Sequence, residues 1–250
     1  MGGLFLDALK ALFFPGKTAR IALSGQFSRQ LLYTGVEAMG LVGIIAFICG
    51  STIVLQAMTN GTKLGISSYF GDILVIAVVR ELGPFFTSIV VIGRSGAALA
   101  AYIGTMRENK EVAALQVMGI DPVYFLVVPA LAGMVGSMIC LNVYFDIIAI
   151  VGGLIVGQLT MANVPIDIFI GNLGKVVDAL NAWDIVISVS KSAVFGCIIA
   201  VVSCHYGLQV RTLRGVPLAG IKAVVGSMVG TIMVNVLVTV LMLASGLYAR

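Results

Sequence analysis

Five apolar runs dominate this chain, at roughly 36–58, 72–105, 123–157, 185–204 and 219–245. Each supplies about 20 or more predominantly apolar residues, the length a helix needs to cross the hydrocarbon of a bilayer. The rest of the composition leaves no soluble alternative. Of 250 residues, 60% are hydrophobic and 10% are charged, whereas a soluble domain carries about 25% charged residues. The fold class that follows is an all-α polytopic membrane protein. Five transmembrane helices occupy a single domain over 35–250. Residues 1–34 precede it as interfacial helices: Phe5, Leu6, Leu9, Leu12 and Phe13 recur at helical spacing, and Pro15-Gly16 ends that pattern. This N-terminus has neither the basic start nor the small-residue cleavage site of a signal peptide.

Charge placement orients the spans. Lys10, Lys17, Arg20, Arg29, Arg107, Lys110, Arg211, Arg214 and Lys222 fall on one side, and Lys63, Lys175 and Arg250 on the other, together with Asp167, Asp178 and Asp184. Basic residues concentrate in cytoplasmic loops, so the N-terminus is expected inside and the C-terminus outside. The third run contains Asn142 and Asp146, but splitting it in two would put the basic 205–222 loop outside. The stretch 158–184 then becomes an outside connection. Cys49, Cys140, Cys197 and Cys204 all sit in apolar runs and form no C-x-x-C pair. They read as packing residues, and the single His205 has no partners for a metal cluster. No internal repeat is visible, which argues against the inverted-repeat transporters.

Small residues recur every fourth position in Gly96/Ala100/Gly104, Gly153/Gly157 and Gly226/Gly230. Such faces let helix backbones approach closely, within one chain or between two. The second run also carries Arg80, Glu81 and Arg94. An ionisable group in a span costs a few kcal/mol and so faces protein or water. Arg80 and Glu81 are neighbours and point about 100° apart on a helix. Gly83-Pro84 follows them, and a proline frees a carbonyl one turn earlier. Two readings fit: a polar niche for a ligand headgroup, or structural ion pairs with adjacent spans. Arg94, between Gly93 and Ser95-Gly96, is expected to bond carbonyls at a packed interface. Asp146 and Lys191 are a candidate pair.

One charged segment interrupts the apolar chain, "MRENKEVAALQVMGIDP" from Met106 to Pro122. Asn109 suits an N-cap, and Glu111 suits the positive end of a helix dipole. Val112, Leu115 and Met118 share a face. Gly119 is placed for a left-handed C-terminal cap, with Ile120 reaching back to Leu115. Asp121-Pro122 ends the helix. The expectation is a capped helix of about ten residues on the cytoplasmic side. Because a helix this short is marginal alone, its apolar face docks on lipid, on its own protein, or in a groove on a soluble partner.

The stretch "VVRELGPFFTSIVVIGRSGAALAAYIGTMRENKEVAALQVMGIDPVYFLVVPALAG" resembles the MlaE permease family, the membrane subunits of MCE-type ABC transporters of phospholipid. The matching pattern is R-E-L-G-P, G-R-x-G-(A/S)-A-L, I-G-x-M-R and M-x-(V/I)-D-P, in that order. "HYGLQVRTLRGVPLAGIKAVVGSMV" is a second match. The resemblance covers most of the chain from about residue 30. It implies a homodimer, two cytoplasmic ABC ATPase subunits that bind ATP and Mg, a hexameric periplasmic MCE-domain ring, and residence in the bacterial inner membrane, with no nucleic acid involved. It also implies a lipid cavity approached by Ile53, Gln56, Asn60, Leu64, Arg80 and Glu81. The segment holding Arg107, Glu108, Lys110, Glu111, Val112, Leu115, Met118, Gly119 and Asp121 would be the coupling helix. The chain departs from the family at Asn109-Lys110-Glu111, where Lys110 takes the usual glutamate position. No catalytic or metal residue is expected here. Gly16-Lys17-Thr18 lacks the glycine that a phosphate-binding loop needs five positions earlier, where Ala11 stands. Two rival readings predict differently: an ion-coupled transporter or channel would work without an ATPase, and a non-transporting scaffold would hold no lipid.

Overall fold

The computed structural model describes residues 34–64, 74–160, 171, 174 and 176–244. The expected interfacial helices, up to residue 33, and residues 161–170, 172, 173 and 175 of the outside connection lie outside the described residues. Among the described residues the chain is helical, without strands. A short 3₁₀ turn, Val36–Ala38, leads into α1, Met39–Leu64. The long helix α2 runs Val75–Glu108. A surface helix α3, Glu111–Val117, follows it. Then come α4, Val128–Thr160, entered through Val123–Val127, α5, Ala182–Gly207, and α6, Gly215–Ala244. Five helices are long and apolar enough to cross a membrane, and their bounds fall within a few residues of the runs read from sequence.

Helix α2 has 34 residues. At about 1.5 Å each it is roughly 50 Å long, well beyond the ~30 Å hydrocarbon core. It is not uniformly wound. Val75–Leu82 and Ile92–Gly96 form wide π turns, a feature that concentrates at functional or strained sites. The first ends where the Gly83 N–H donates to the Val78 carbonyl, five residues back. Each π stretch carries an arginine in its last turn, Arg80 and Arg94.

The chain forms two compact units. In the unit made of Met39–Thr87 and Ile139–Ser192, α1 and α4 touch through backbone. A Cβ placed on Gly153 would stand 2.6 Å from the Gly50 carbonyl oxygen, and one on Gly50 would run into the Ala149 carbonyl. Gly157 meets Met58 and Gly152 meets Phe47. Small residues matter here because helices in lipid gain little from hydrophobic burial and associate through close van der Waals contact.

The other unit holds the Val36–Ala38 turn, Ser88–Met138 and the chain from Ala193 through α6. Here Gly96 of α2 faces Ile199 and Ser203 of α5, and Gly207 sits against the Ala100 carbonyl. Gly226 and Gly230 of α6 meet Val202, Tyr206 and Ile198. Helix α6 buries a stripe of small residues, Ala219, Ala223, Ser227 and Thr231, at four-residue spacing. Its opposite face leaves Ile221, Val225, Met233, Val236 and Val240 exposed. All three glycine ladders therefore pack inside the chain.

The Gly50–Gly153 crossing gives a direct test. Gly153→Val overpacks a backbone contact, a change that costs about 1–3 kcal/mol, or roughly 2–10 °C in a protein of this size. Scanning fluorimetry in mild detergent should show that loss for Gly153→Val. Gly40→Ala, where no atom lies within 4 Å, should behave as wild type. Equal midpoints for both variants would contradict the crossing.

Candidate functional site

In the unit containing the start of α2, the R-E-L-G-P stretch is tied to α5 and α4 by polar contacts. Arg80 pairs with Asp184, and both are buried. Glu81 pairs with Lys191 at 2.8 Å. Adjacent residues on α2 thus take partners seven apart on α5, which lie on one face two turns apart. Charges removed from water must be compensated at close range, and two opposite pairs meet that demand without net charge. Arg80 and Glu81 thus both form the ion pairs with an adjacent span that the structural reading expects. The expected pairing of Lys191 with Asp146 is corrected, because Lys191 goes to Glu81.

Lys191 makes a second contact beside the proline. Its Nζ lies 3.3 Å from the Arg80 carbonyl oxygen and donates to it. One lysine therefore neutralises Glu81 and also donates to the backbone of the same turn. Gly83 completes the motif. A Cβ there would run into Asp146 and stand 3.0 Å from Asn142 Oδ1, so glycine lets α2 close on the polar face of α4. Asn142 Nδ2 donates to Ser188 Oγ at 2.7 Å and approaches Asp146 Oδ2 at 3.5 Å. Phe86 stacks on Phe145 beside them.

Asp184 is the residue that sequence reasoning placed wrongly. It was expected in the outside connection, with the span starting near 185. Instead α5 starts at Ala182, and Asp184 lies in its first turn. Its Oδ2 accepts from the Asn181 N–H at 2.9 Å, half of a capping box, while the other oxygen takes Arg80. The available signal was Asn181, three residues before an acid.

Of the other expected site residues, Ile53 is half-buried on α1 and Gln56 is exposed. Asn60 and Leu64 lie in the last turns of α1, and their side chains are outside the described residues. In the other unit, Arg94 pairs with Glu37 of the turn before α1. The expectation that Arg94 bonds carbonyls is thereby corrected. A carboxylate was available at the start of the chain's first span, and a charged partner satisfies a guanidinium better than a carbonyl does.

Helix α3 also differs in detail from its expectation. It has seven residues rather than about ten. Asn109 does not cap it. Asn109 ends α2, and Lys110 enters α3 in a left-handed conformation, φ 62°. Asn109 Nδ2 donates to Glu111 Oε1 at 3.1 Å. The C-terminal ending is as expected. Gly119 is left-handed, φ 74°, the Ile120 N–H donates to the Leu115 carbonyl at 2.9 Å, and the Gly119 N–H donates to the Gln116 carbonyl at 3.0 Å. Those two bonds define a Schellman motif. Val112 and Leu115 are buried against their own chain, but Met118 is 64% exposed and Val117 90% exposed. Of the expected face Val112, Leu115 and Met118, only Met118 is exposed, and it shares the free face with Val117. Arg107, Lys110, Glu111 and Asp121 are exposed and Glu108 half-buried around it.

Five apolar spans, ion pairs between them and one capped helix outside them define a multi-pass helical membrane protein. The family model for permease MlaE matches residues 27–241. The chain belongs to the MlaE permease family. It is 33% identical over 214 residues to a probable ABC transporter permease protein of Rickettsia felis, covering 84% of this chain and 80% of the relative. It is 31% identical over 244 residues to a probable ABC transporter permease protein of Synechocystis, covering 95% and 91%. It is also 34% identical over 208 residues to the chloroplastic protein trigalactosyldiacylglycerol 1 of Arabidopsis thaliana, covering 81% of this chain and 57% of that one. These findings make it an ABC transporter permease.

The Arg80–Asp184 pair is open to a mutant cycle. Asp184→Ala leaves a buried guanidinium without its carboxylate and should cost about 3–5 kcal/mol. Arg80→Met/Asp184→Leu, which removes both charges, should recover most of that loss, less about 1 kcal/mol for the missing cap. Unfolding midpoints of purified protein would show the order. A single Asp184→Ala variant as stable as wild type would refute the pairing.

Proposed function

We propose that this chain is the membrane subunit of an ATP-driven lipid transporter. It works as a homodimer with two cytoplasmic ABC ATPase subunits, which bind the ATP and Mg, and with a hexameric periplasmic MCE-domain ring. It moves phospholipid between the bacterial inner membrane and that periplasmic carrier. The observation that carries this reading is the match to one permease family across all five spans. The name of the Arabidopsis relative, a galactosylated diacylglycerol, supports a lipid cargo. The chain itself is a non-catalytic subunit.

The parts divide accordingly. The outer face of α3, with Val117 and Met118 exposed, seats the ATPase, and Arg107, Glu108, Lys110, Glu111, Gly119 and Asp121 border that seat. Val112 and Leu115 hold α3 to its own chain, so they transmit its displacement rather than touch the partner. Ile53, Gln56, Asn60 and Leu64 of α1 border the lipid. Arg80 is enclosed by its ion pair and positions the helix. Glu81, whose side chain is 25% exposed, is the member of the motif able to face a headgroup.

Two measurements test this. Gentle co-purification of tagged permease should yield a stoichiometric ABC ATPase together with phospholipid. Val117→Asp should remove the ATPase and leave membrane insertion intact. Recovery of neither ATPase nor lipid would refute the proposal. For orientation, Cys49, Cys140, Cys197 and Cys204 are replaced by alanine and single cysteines introduced at exposed positions. An impermeant maleimide added to the periplasmic face should label Val177→Cys and leave Thr212→Cys untouched. The reverse pattern would contradict an N-terminus inside.

A further inference from the structure

The loop between α5 and α6 has no role in the account so far, although it belongs to the second sequence stretch shared with the family. It is a built turn. The Val210 N–H donates to the Gly207 carbonyl, the Gly215 N–H to the Thr212 carbonyl and the Val216 N–H to the Leu213 carbonyl, at 2.8–3.2 Å. Val210 is buried and faces Gly104 of α2, where an added Cβ would stand 3.0 Å from its Cγ2. Gly207 sits against the Ala100 carbonyl. These contacts fix the loop beside the last turns of α2, the helix from whose end α3 begins. Beyond Val210 the tip is fully outward: Arg211, Thr212, Leu213 and Arg214 are all exposed, Leu213 at 65%.

The size of α3 shows why a second contact is needed. Its seven residues span about 10 Å. A stable partner buries about 800 Å² and some 20–30 residues on each side, and one short helix cannot supply that. The hydrogen-bonded turn at the same end of the same unit extends the surface. Its chemistry is an exposed leucine between two arginines, with Arg107 and Lys110 also exposed at that end. Arginine is among the residues that protein interfaces concentrate, and the charge demands carboxylates opposite.

We infer that the Arg211–Arg214 loop is a second docking element for the cytoplasmic ATPase, seating an acidic, partly apolar patch of that subunit beside its contact with α3. This rests on the reading above that an ABC ATPase binds α3. The loop supplies electrostatic register and α3 supplies the apolar seat. The loop contact is therefore the salt-sensitive part of the interface.

The test uses the co-expressed complex in native membranes, with the four native cysteines replaced by alanine. A photoreactive maleimide is attached at Val117→Cys or at Leu213→Cys. Both sites should give an adduct with the ABC ATPase, identified by mass spectrometry. An ATPase adduct from position 117 alone overturns the loop's role and leaves the α3 reading standing. Lipid-only adducts at 213 overturn it in favour of a headgroup contact. No ATPase adduct from either position removes the α3 reading as well. In parallel, Arg211→Glu/Arg214→Glu should lower ATPase recovered per permease roughly tenfold at low salt and flatten its dependence on KCl. Unchanged recovery and salt dependence would overturn the proposal.

Discussion

The structure depends on one demand of the bilayer: a charge carried into a span must be compensated inside the protein. Helix α2 carries Arg80 and Glu81 just before a proline. Helix α5 answers both charges with Asp184 and Lys191, and Lys191 also donates to the Arg80 carbonyl. That solution fixes where α5 begins. Asp184 reaches Arg80 while also capping the Asn181 N–H, so the first turn of α5 and the charged turn of α2 are positioned together. Gly83 then allows α4 to bring Asn142 and Asp146 against the same turn. A motif that reads as a possible ligand niche is first of all a three-helix joint.

The glycines serve the same end by a different force. With no hydrophobic gain from helix association in lipid, α1 and α4 hold together by backbone contact at Gly50 and Gly153, and α2 and α5 by contact at Ala100 and Gly207. The visible ladders are used within the chain, and among the described residues the exposed apolar side chains of α1, α4, α5 and α6 face outward. Outside the spans, α3 is short, capped at its exit by Gly119 and anchored by Val112 and Leu115.

Much of this was legible in the sequence for physical reasons. Span length and apolarity are set by bilayer thickness, so five runs were countable. The Schellman ending of α3 was legible because only glycine reaches the left-handed region cheaply at Gly119, and Ile120 then has one place to go. Partner choice was harder to read. That Lys191 pairs with Glu81 and Arg94 with Glu37 depends on which helices are neighbours, which hydropathy does not encode. Asn109 illustrates a second limit. Its side chain suits a helix start, but its backbone ended α2, and the turn into α3 fell to Lys110 at positive φ. The buried face of α3 was read one residue out of phase at its end, since Met118 is the cap rather than part of the helix.

The central claim is that ATP hydrolysis in a partner drives lipid movement through this chain. The most direct measurement is reconstitution of the permease with its co-purified ATPase into vesicles containing labelled phospholipid. Redistribution of the label between those vesicles and the periplasmic carrier is then followed. The account predicts movement that requires ATP and Mg and is lost in Val117→Asp. Label movement driven by an ion gradient without the ATPase, or no ATP-dependent movement in an intact complex, would contradict it.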